Sequence, residues 1–212
     1  MNGVFITGSN TGVGKTTISV EIIKHLRKNR QIVVRKPVET GCEIVNGSFQ
    51  PKDAIKLSEA CSSGEDLEMI CAFCFELEAS PEEASANSGR LLSLKDLVKS
   101  CRSRVGDSFV IIEGAGGLYS PIANKALNSD LAAQLDLPII IIVRDELGAV
   151  SQALLTINAA KSQQLKIACV VLNEIEPNQL CNAETLRAYV EVPIIEYSQI
   201  KLSNFCSEIE RL

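Results

Sequence analysis

Five stretches of the chain are apolar without alternation: Val4-Phe5-Ile6, Ile32-Val33-Val34, Phe109-Val110-Ile111-Ile112, Pro138–Val143 and Ala168–Leu172. A strand with one wet face alternates apolar and polar positions, so unbroken runs predict parallel strands covered on both faces. Between them, Lys15–Lys28, Leu92–Arg102, Leu147–Ala160 and Ala183–Val190 carry apolar residues at helical spacing. Alternating strands and helices predict an α/β fold: a mainly parallel, open sheet with helices on both faces, joined by right-handed crossovers. From about residue 40 to 89 the pattern breaks, with Gly41, Gly47, Pro51, Gly64, Pro81 and Gly89 interrupting it. Short helices are expected there at Asp53–Cys61 and Pro81–Asn87. The stretch lacks the apolar periodicity for a core of its own. It reads as an excursion from a single domain spanning residues 1–212.

Composition narrows the class. A chain of 212 residues suits one domain, which can bury roughly 70% of its unfolded surface without disulfides or metals. With 21 basic and 26 acidic residues the net charge is −5, which argues against nucleic acid as a partner because nonspecific binding needs a basic footprint. No apolar run reaches the ~20 residues of a membrane span. Met1-Asn2-Gly3-Val4 runs straight into a strand with no basic leader, so no export signal is expected. Of the eight cysteines, only Cys71-Ala-Phe-Cys74 has ligand spacing, and the lone histidine, His25, sits among Lys24, Arg27, Lys28 and Arg30. A structural zinc needs four closing ligands, and these are missing from the pattern. Cys169, inside an apolar run, reads as a small core residue. Unpaired thiols point to the cytoplasm.

The most specific feature follows the first strand: Thr7-Gly8-Ser9-Asn10-Thr11-Gly12-Val13-Gly14-Lys15-Thr16-Thr17, then a helix. Consecutive backbone N–H groups meet a polyphosphate at close range when glycines keep side chains out of the way. The helix N-terminus adds partial positive charge. This order gives the fold a P-loop NTPase-like character. Gly12, Val13, Gly14, Lys15, Thr16 and Thr17 are the predicted nucleotide contacts, with Lys15 reaching the terminal phosphates and the Thr16 hydroxyl ligating magnesium. The loop has one residue more between Gly8 and Gly14 than the common form.

Two further segments end at the same side of the predicted sheet. The strand Phe109–Ile112 runs into Glu113-Gly114-Ala115-Gly116-Gly117, placing a carboxylate in the crevice where ligands collect in open α/β sheets. The second strand runs into Arg35-Lys36-Pro37-Val38-Glu39-Thr40-Gly41, offering a second cation beside the phosphate loop. Asp53 reads as a helix N-cap, because Asp-Ala-Ile begins a helical pattern.

Together these residues resemble the dethiobiotin synthetase family. The matching segments are Thr7–Thr17, Lys36–Gly41, Asp53-Ala54, Glu113–Gly117 and Leu172-Asn173, in order over most of the chain. The family's phosphate loop has the same long spacing. The resemblance implies a homodimeric ligase dependent on ATP and Mg²⁺ that converts 7,8-diaminononanoate and CO₂ (from bicarbonate) into dethiobiotin, ADP and phosphate. One amine captures CO₂ as a carbamate, ATP phosphorylates it, and the other amine closes the ring. Lys15 and Lys36 then become the catalytic cations, and Thr16, Asp53 and Glu113 the metal set. Gly114, Ala115 and Gly116 join the nucleotide contacts, and Asn173 reads the adenine edge. Thr11, Thr40, Gly116 and Gly117 line the substrate site, with Leu147, Gly148 and Ser151 supplied for the substrate carboxylate across the dimer.

The chain departs from the family pattern in four places. Asn10 stands where aspartate is frequent, and Ser80-Pro81-Glu82 replaces a Ser-Pro-His segment. Leu147-Gly148-Ala149-Val150-Ser151 lacks the usual asparagine, and the chain after Pro193-Ile194-Ile195 has no strong match to the segment that covers the base. The rival reading is a nucleotide-driven ATPase switch of the partitioning type. Such loops begin with a lysine, where this one begins Gly8-Ser9-Asn10. A GTPase would need Asn-Lys-x-Asp, and Asn173-Glu174-Ile175-Glu176 puts an acid in the lysine's place. An amidating ligase of corrinoid precursors would need a glutamine-hydrolysing domain for which this length leaves no room.

Overall fold

A computed structural model describes residues 1–198 and 202–209. Strand β1 (Gly3–Gly8) leads into α1 (Lys15–Leu26) and β2 (Ile32–Arg35). The excursion holds β3 (Val38–Thr40), the hairpin β4 (Glu43–Val45) and β5 (Ser48–Gln50), α2 (Lys52–Cys61), α3 (Leu67–Ile70), β6 (Phe73–Phe75) and α4 (Pro81–Asn87). Then come α5 (Leu94–Arg102), β7 (Phe109–Glu113), the short β8 (Pro121–Ala123) and β9 (Ala126–Leu127), and α6 (Asn128–Leu135). β10 (Ile139–Arg144), α7 (Ala149–Ser162), β11 (Ile167–Asn173), α8 (Asn182–Arg187), β12 (Ile194–Tyr197) and α9 (Leu202–Ile209) follow.

Six strands form the central sheet in the order β12-β11-β10-β1-β7-β2, every neighbouring pair parallel. The unbroken apolar runs are explained by what each face meets. Phe5, Ile112, Ile139 and Ile141 point into one core layer with Leu97 of α5, Leu131 of α6 and Ile157 of α7. Their neighbours Val4, Ile6, Ile111 and Ile140 point into the other, with Ile18 and Ile22 of α1 and Leu57 of α2. Successive residues therefore serve opposite layers, and along these runs both faces are apolar. Cys169 is fully buried in the second layer.

All five expected strands form. The helix ends move for local reasons. α7 begins at Ala149, not Leu147, because Gly148 sits at φ 96°, a left-handed conformation that cannot continue into a helix. α5 begins at Leu94, where Ser93 and Asp96 form a capping box. α1 ends at Leu26 and α8 is confined to Asn182–Arg187. α2 starts one residue before Asp53, with Pro51 at its N-cap, so Asp53 lies in the first turn and does not cap the helix. The sequence pattern gave no signal for α6, whose entry is fixed by Leu127 N–H donating to Asp130.

The excursion packs back on the sheet. β3 and β6 pair in parallel, Val38 opposite Phe73 and Glu39 opposite Cys74. Lys36 N–H donates to the Ile70 carbonyl at 2.8 Å. Arg35, fully buried at the end of β2, donates to both oxygens of Glu65 at 3.0 Å and to the Ser103 carbonyl at 2.7 Å. A buried guanidinium needs such partners, because an unpaired charge in the interior costs several kcal/mol, of order 3–5; the two terminal nitrogens are paired here, while Nε has no partner. The end of β2, and with it Lys36, is held from three directions.

Candidate active site

The phosphate loop runs from the end of β1 to α1, and Gly14 closes it at φ 87°. A Cβ at Gly14 would collide with the Asn173 side-chain nitrogen, so only glycine lets the loop pass β11. Asn173 is buried and donates to the Val13 carbonyl at 2.8 Å, which joins the loop to the C-terminal end of β11. Ser9 Oγ donates to Gln152 of α7 at 3.1 Å. Asn10 shapes the bend: its Oδ1 accepts from Thr11 N–H, and its carbonyl accepts from Lys15 Nζ at 3.1 Å.

Glu113, at the end of β7 and fully buried, is the hub. Its Oε1 accepts from Thr16 Oγ1 at 2.8 Å and Lys36 Nζ at 2.7 Å, and its Oε2 from Ser19 Oγ at 2.6 Å. Lys36 Nζ also lies 3.0 Å from Asp53 Oδ2 at the start of α2. Burial works against the Lys36 ammonium, yet Glu113 and Asp53 outweigh it and hold its pKa above the ordinary lysine range. Burial would raise Asp53, but Lys36 and the Thr16 hydroxyl hold it below the usual carboxylate range. Lys15 has weaker compensation. Burial and the nearby Lys36 charge lower it from 10.5 to about 8, with Glu113 and Asp53 pulling the other way.

The Thr16, Asp53 and Glu113 oxygens converge, and one cation, the Lys36 ammonium, already touches both carboxylates. Such hard oxygen donors suit Mg²⁺. No cluster of three or more His, Cys, Asp or Glu able to hold a metal unaided occurs among the described residues. Mg²⁺ bound alongside phosphates takes only one or two carboxylates, so the smaller set fits it. Cys71 and Cys74 lie with sulfurs 3.5 Å apart behind β3, away from this set.

Above the hub opens a cavity of about 610 Å³ lined by Thr11, Gly12, Gly14–Thr17, Lys36, Thr40, Asp53, Ala115 and Gly116. Most predicted site residues are thus brought together. Gly114 and Gly117 lie behind the lining. Gly117 packs on the Ser9 and Gly8 carbonyls, while at Gly116, φ 77°, a Cβ would collide with Ser120. Asn128 holds this glycine segment by donating to the Ala115 and Gly117 carbonyls. Leu147, Gly148 and Ser151 are not in the cavity, and Leu147 is 89% exposed. Glu82, in place of the expected histidine, turns away to accept from Lys125 N–H at 2.6 Å. The predicted base-covering segment falls partly on residues 199–201 and 210–212, outside the described residues. In the described part, Phe205 of α9 packs edge-on against Tyr197 at 5.0 Å.

Sequence reasoning gave no role to Glu39, Ser19 or Asn128. Ser19 is one helical turn beyond Lys15 on the same buried face, a signal that could have been read. Asn128 had none, since its carbonyl partners are fixed only by the tertiary fold.

Residues 2–198 match the family described as an AAA domain. The ATP-dependent dethiobiotin synthetase of Ruthia magnifica subsp. Calyptogena magnifica is 45% identical over 212 residues, covering 100% of this chain and 98% of that protein. The enzyme of the same name from Vesicomyosocius okutanii subsp. Calyptogena okutanii is 46% identical, covering 100% and 97%. That of Anaeromyxobacter dehalogenans is 36% identical over 179 residues, covering 84% and 78%. Among solved structures, a ParA family ATPase from Chlorobium tepidum aligns with a TM-score of 0.58 at 12% identity, covering 98% of this chain and 89% of its own. The MinC:MinD cell division complex of Aquifex aeolicus aligns at 0.57 and 17% identity, covering 99% and 86%. These two likenesses establish the P-loop NTPase-like α/β fold.

Lys15 is expected to titrate near pH 8, read from its ε-carbon by NMR, and inorganic triphosphate should raise that midpoint by pairing the ammonium. Its burial cost is complete below pH 8 and fades as pH rises toward 10.5, where the unfolded chain also loses the proton. A midpoint at the ordinary lysine value, indifferent to triphosphate, would contradict the buried placement.

Proposed function

The chain belongs to the ATP-dependent dethiobiotin synthetase family, and from that membership we propose that it carboxylates 7,8-diaminononanoate with CO₂ and closes the ureido ring, yielding dethiobiotin, ADP and phosphate. It is an ATP-dependent ligase of biotin biosynthesis. The observation that carries the reading in detail is one cavity shared by a phosphate loop and a second buried lysine, Lys36, beyond the loop's own Lys15. A partitioning-type switch takes its second lysine from the start of the phosphate loop, where this chain has Gly8-Ser9-Asn10, whereas Lys36 comes from the segment after β2.

The substrate chemistry explains the arrangement. One amine takes up CO₂ as a carbamate. The carbamate oxygen attacks the γ-phosphorus of ATP, the bond to ADP breaks, and a carbamic-phosphoric mixed anhydride forms. The second amine then attacks its carbonyl carbon and expels phosphate. The first transfer brings two anions together, so fixed positive charge and oriented N–H donors supply most of the acceleration. Lys15 and the N–H groups at the start of α1 hold the polyphosphate. Lys36 holds charge beside the carbamate, and its carboxylate partners keep it an ammonium at working pH. Thr16, Asp53 and Glu113 would hold Mg²⁺, which would supply positive charge against the phosphates. Thr11, Thr40 and Gly116 face the diamine and carbamate and Ala115 flanks the phosphates, while Gly114 and Gly117 back that wall and Asn173 supports the phosphate loop through Val13.

Homodimerisation accounts for the residues left outside. Leu147, just ahead of α7, and Ser151 and Leu155, one turn apart on it, are exposed, and Leu155 lines a surface depression shared with Tyr119. A second copy covering this face would present the Leu147–Ser151 turn to its neighbour's substrate carboxylate. No described helix is long and apolar enough to cross a membrane; the cytoplasm is proposed on the free thiols.

Incubation with ATP, Mg²⁺, bicarbonate and the diamine should give dethiobiotin by mass, with phosphate release lost when diamine or bicarbonate is omitted. Rapid phosphate release from ATP alone, with no new product, would point to the switch instead. Lys36→Ala should lower kcat by about 10²-fold or more, with the KM for ATP little changed. Turnover near that of the unaltered enzyme would remove Lys36 from the chemistry.

A further inference from the structure

Helix α2 delivers Asp53 to the site, yet it has no cap of its own. Its N-cap is Pro51, which has no side chain able to accept a hydrogen bond. Asp53 and Ala54, the second and third helical residues, carry N–H groups that an N-cap side chain would normally satisfy. Both donate instead to Glu39, fourteen residues upstream: Asp53 N–H to Oε1 at 2.9 Å and Ala54 N–H to Oε2 at 3.0 Å. Glu39 is only 8% exposed, and a buried carboxylate is retained only where its oxygens are paired. It lies three residues after Lys36 on β3, and its backbone is fixed by pairing with Cys74 of β6.

The contacts close a ring. The backbone runs from Lys36 to Glu39, the Glu39 carboxylate grips the first turn of α2, and Asp53 on that turn reaches back to Lys36 Nζ at 3.0 Å. The Glu39 link thus joins the segment that carries Lys36 to the helix turn that carries Asp53, alongside the Lys36–Asp53 pair itself. We propose that Glu39 is a positioning residue: its carboxylate, serving as the missing cap of α2, sets the placement of Asp53 against Lys36 in the reaction cavity. The geometric part stands on these contacts alone, and its consequence for turnover rests on the synthetase reading.

Glu39→Ala removes both contacts, and Glu39→Gln keeps the shape but only one accepting oxygen. Amide hydrogen exchange at Asp53 and Ala54 should speed clearly in the alanine variant and by an intermediate amount in the glutamine variant. A crystal structure of Glu39→Ala should show the Lys36–Asp53 contact opened. Turnover should fall by about 10-fold or more in the alanine variant, mostly in kcat, with partial rescue by glutamine. A merely structural cap would lower thermal stability and leave kcat per folded molecule unchanged. Unaltered exchange, a retained 3.0 Å contact, or unaltered kcat in a folded alanine variant each overturns the proposal. The exchange and structural readouts need no substrate, so they decide the positioning independently. Failure of the unaltered protein to form dethiobiotin would count against the synthetase reading alone.

Discussion

The structure depends on the burial of two ammonium groups and a carboxylate where parallel strands end. Lys15, Lys36 and Glu113 are almost wholly out of water, and the half-buried Asp53 borders them. Such a cluster is a poor way to stabilise a fold, because desolvation can consume the Coulomb gain, whereas removing one member strands its partner at a cost of about 3–5 kcal/mol. The arrangement makes sense as preorganisation. Charges fixed in advance need no reorganisation when a polyphosphate arrives, and low local polarity makes each of them count for more. The unequal compensation of the two lysines fits this division. Lys36 is locked as a cation by its carboxylates, while Lys15 lacks a full partner and is the one that an incoming anion would complete.

The scaffold enforces the cluster from several sides. β1, β2 and β7 lie side by side in the sheet, so the segments leaving their C-terminal ends emerge together. Lys15, Lys36 and Glu113 therefore meet although they are far apart in sequence. Arg35, bound through its terminal nitrogens to Glu65 and the Ser103 carbonyl, pins the end of β2 immediately before Lys36. The excursion supplies the rest. It is stitched to β2 through Lys36 and Ile70 and through β3–β6 pairing, and it brings in Asp53, Thr40 and the far wall at Ser80 and Pro81. Its irregular sequence follows from that role, since a segment that lines a polar cavity cannot repeat an apolar period.

What was legible in the sequence follows the range of the interactions. The five strands were readable because both faces are buried, and the phosphate loop because its chemistry is local. Glu113 and Lys36 were readable from their place after apolar strands. Gly148 shifted the start of α7 because a positive φ is a backbone property that apolar spacing does not register. α6 escaped because its short run of small residues offers little amphipathic contrast. Glu39 and Asn128 act on backbone groups distant in sequence, and no local pattern announces such partners. The exposed turn at Leu147–Ser151 is the converse case, drawn into the site by family resemblance alone and lying outside the cavity of its own chain.

The most direct measurement is a crystal structure with a non-hydrolysable ATP analogue, Mg²⁺ and the diamine. The account predicts Lys15 and Lys36 ammonium groups both about 3 Å from terminal phosphate or carbamate-site oxygens, with the triphosphate seated on the N-terminus of α1. A polyphosphate bound elsewhere, or with both lysines turned away from it, would contradict the account at its base.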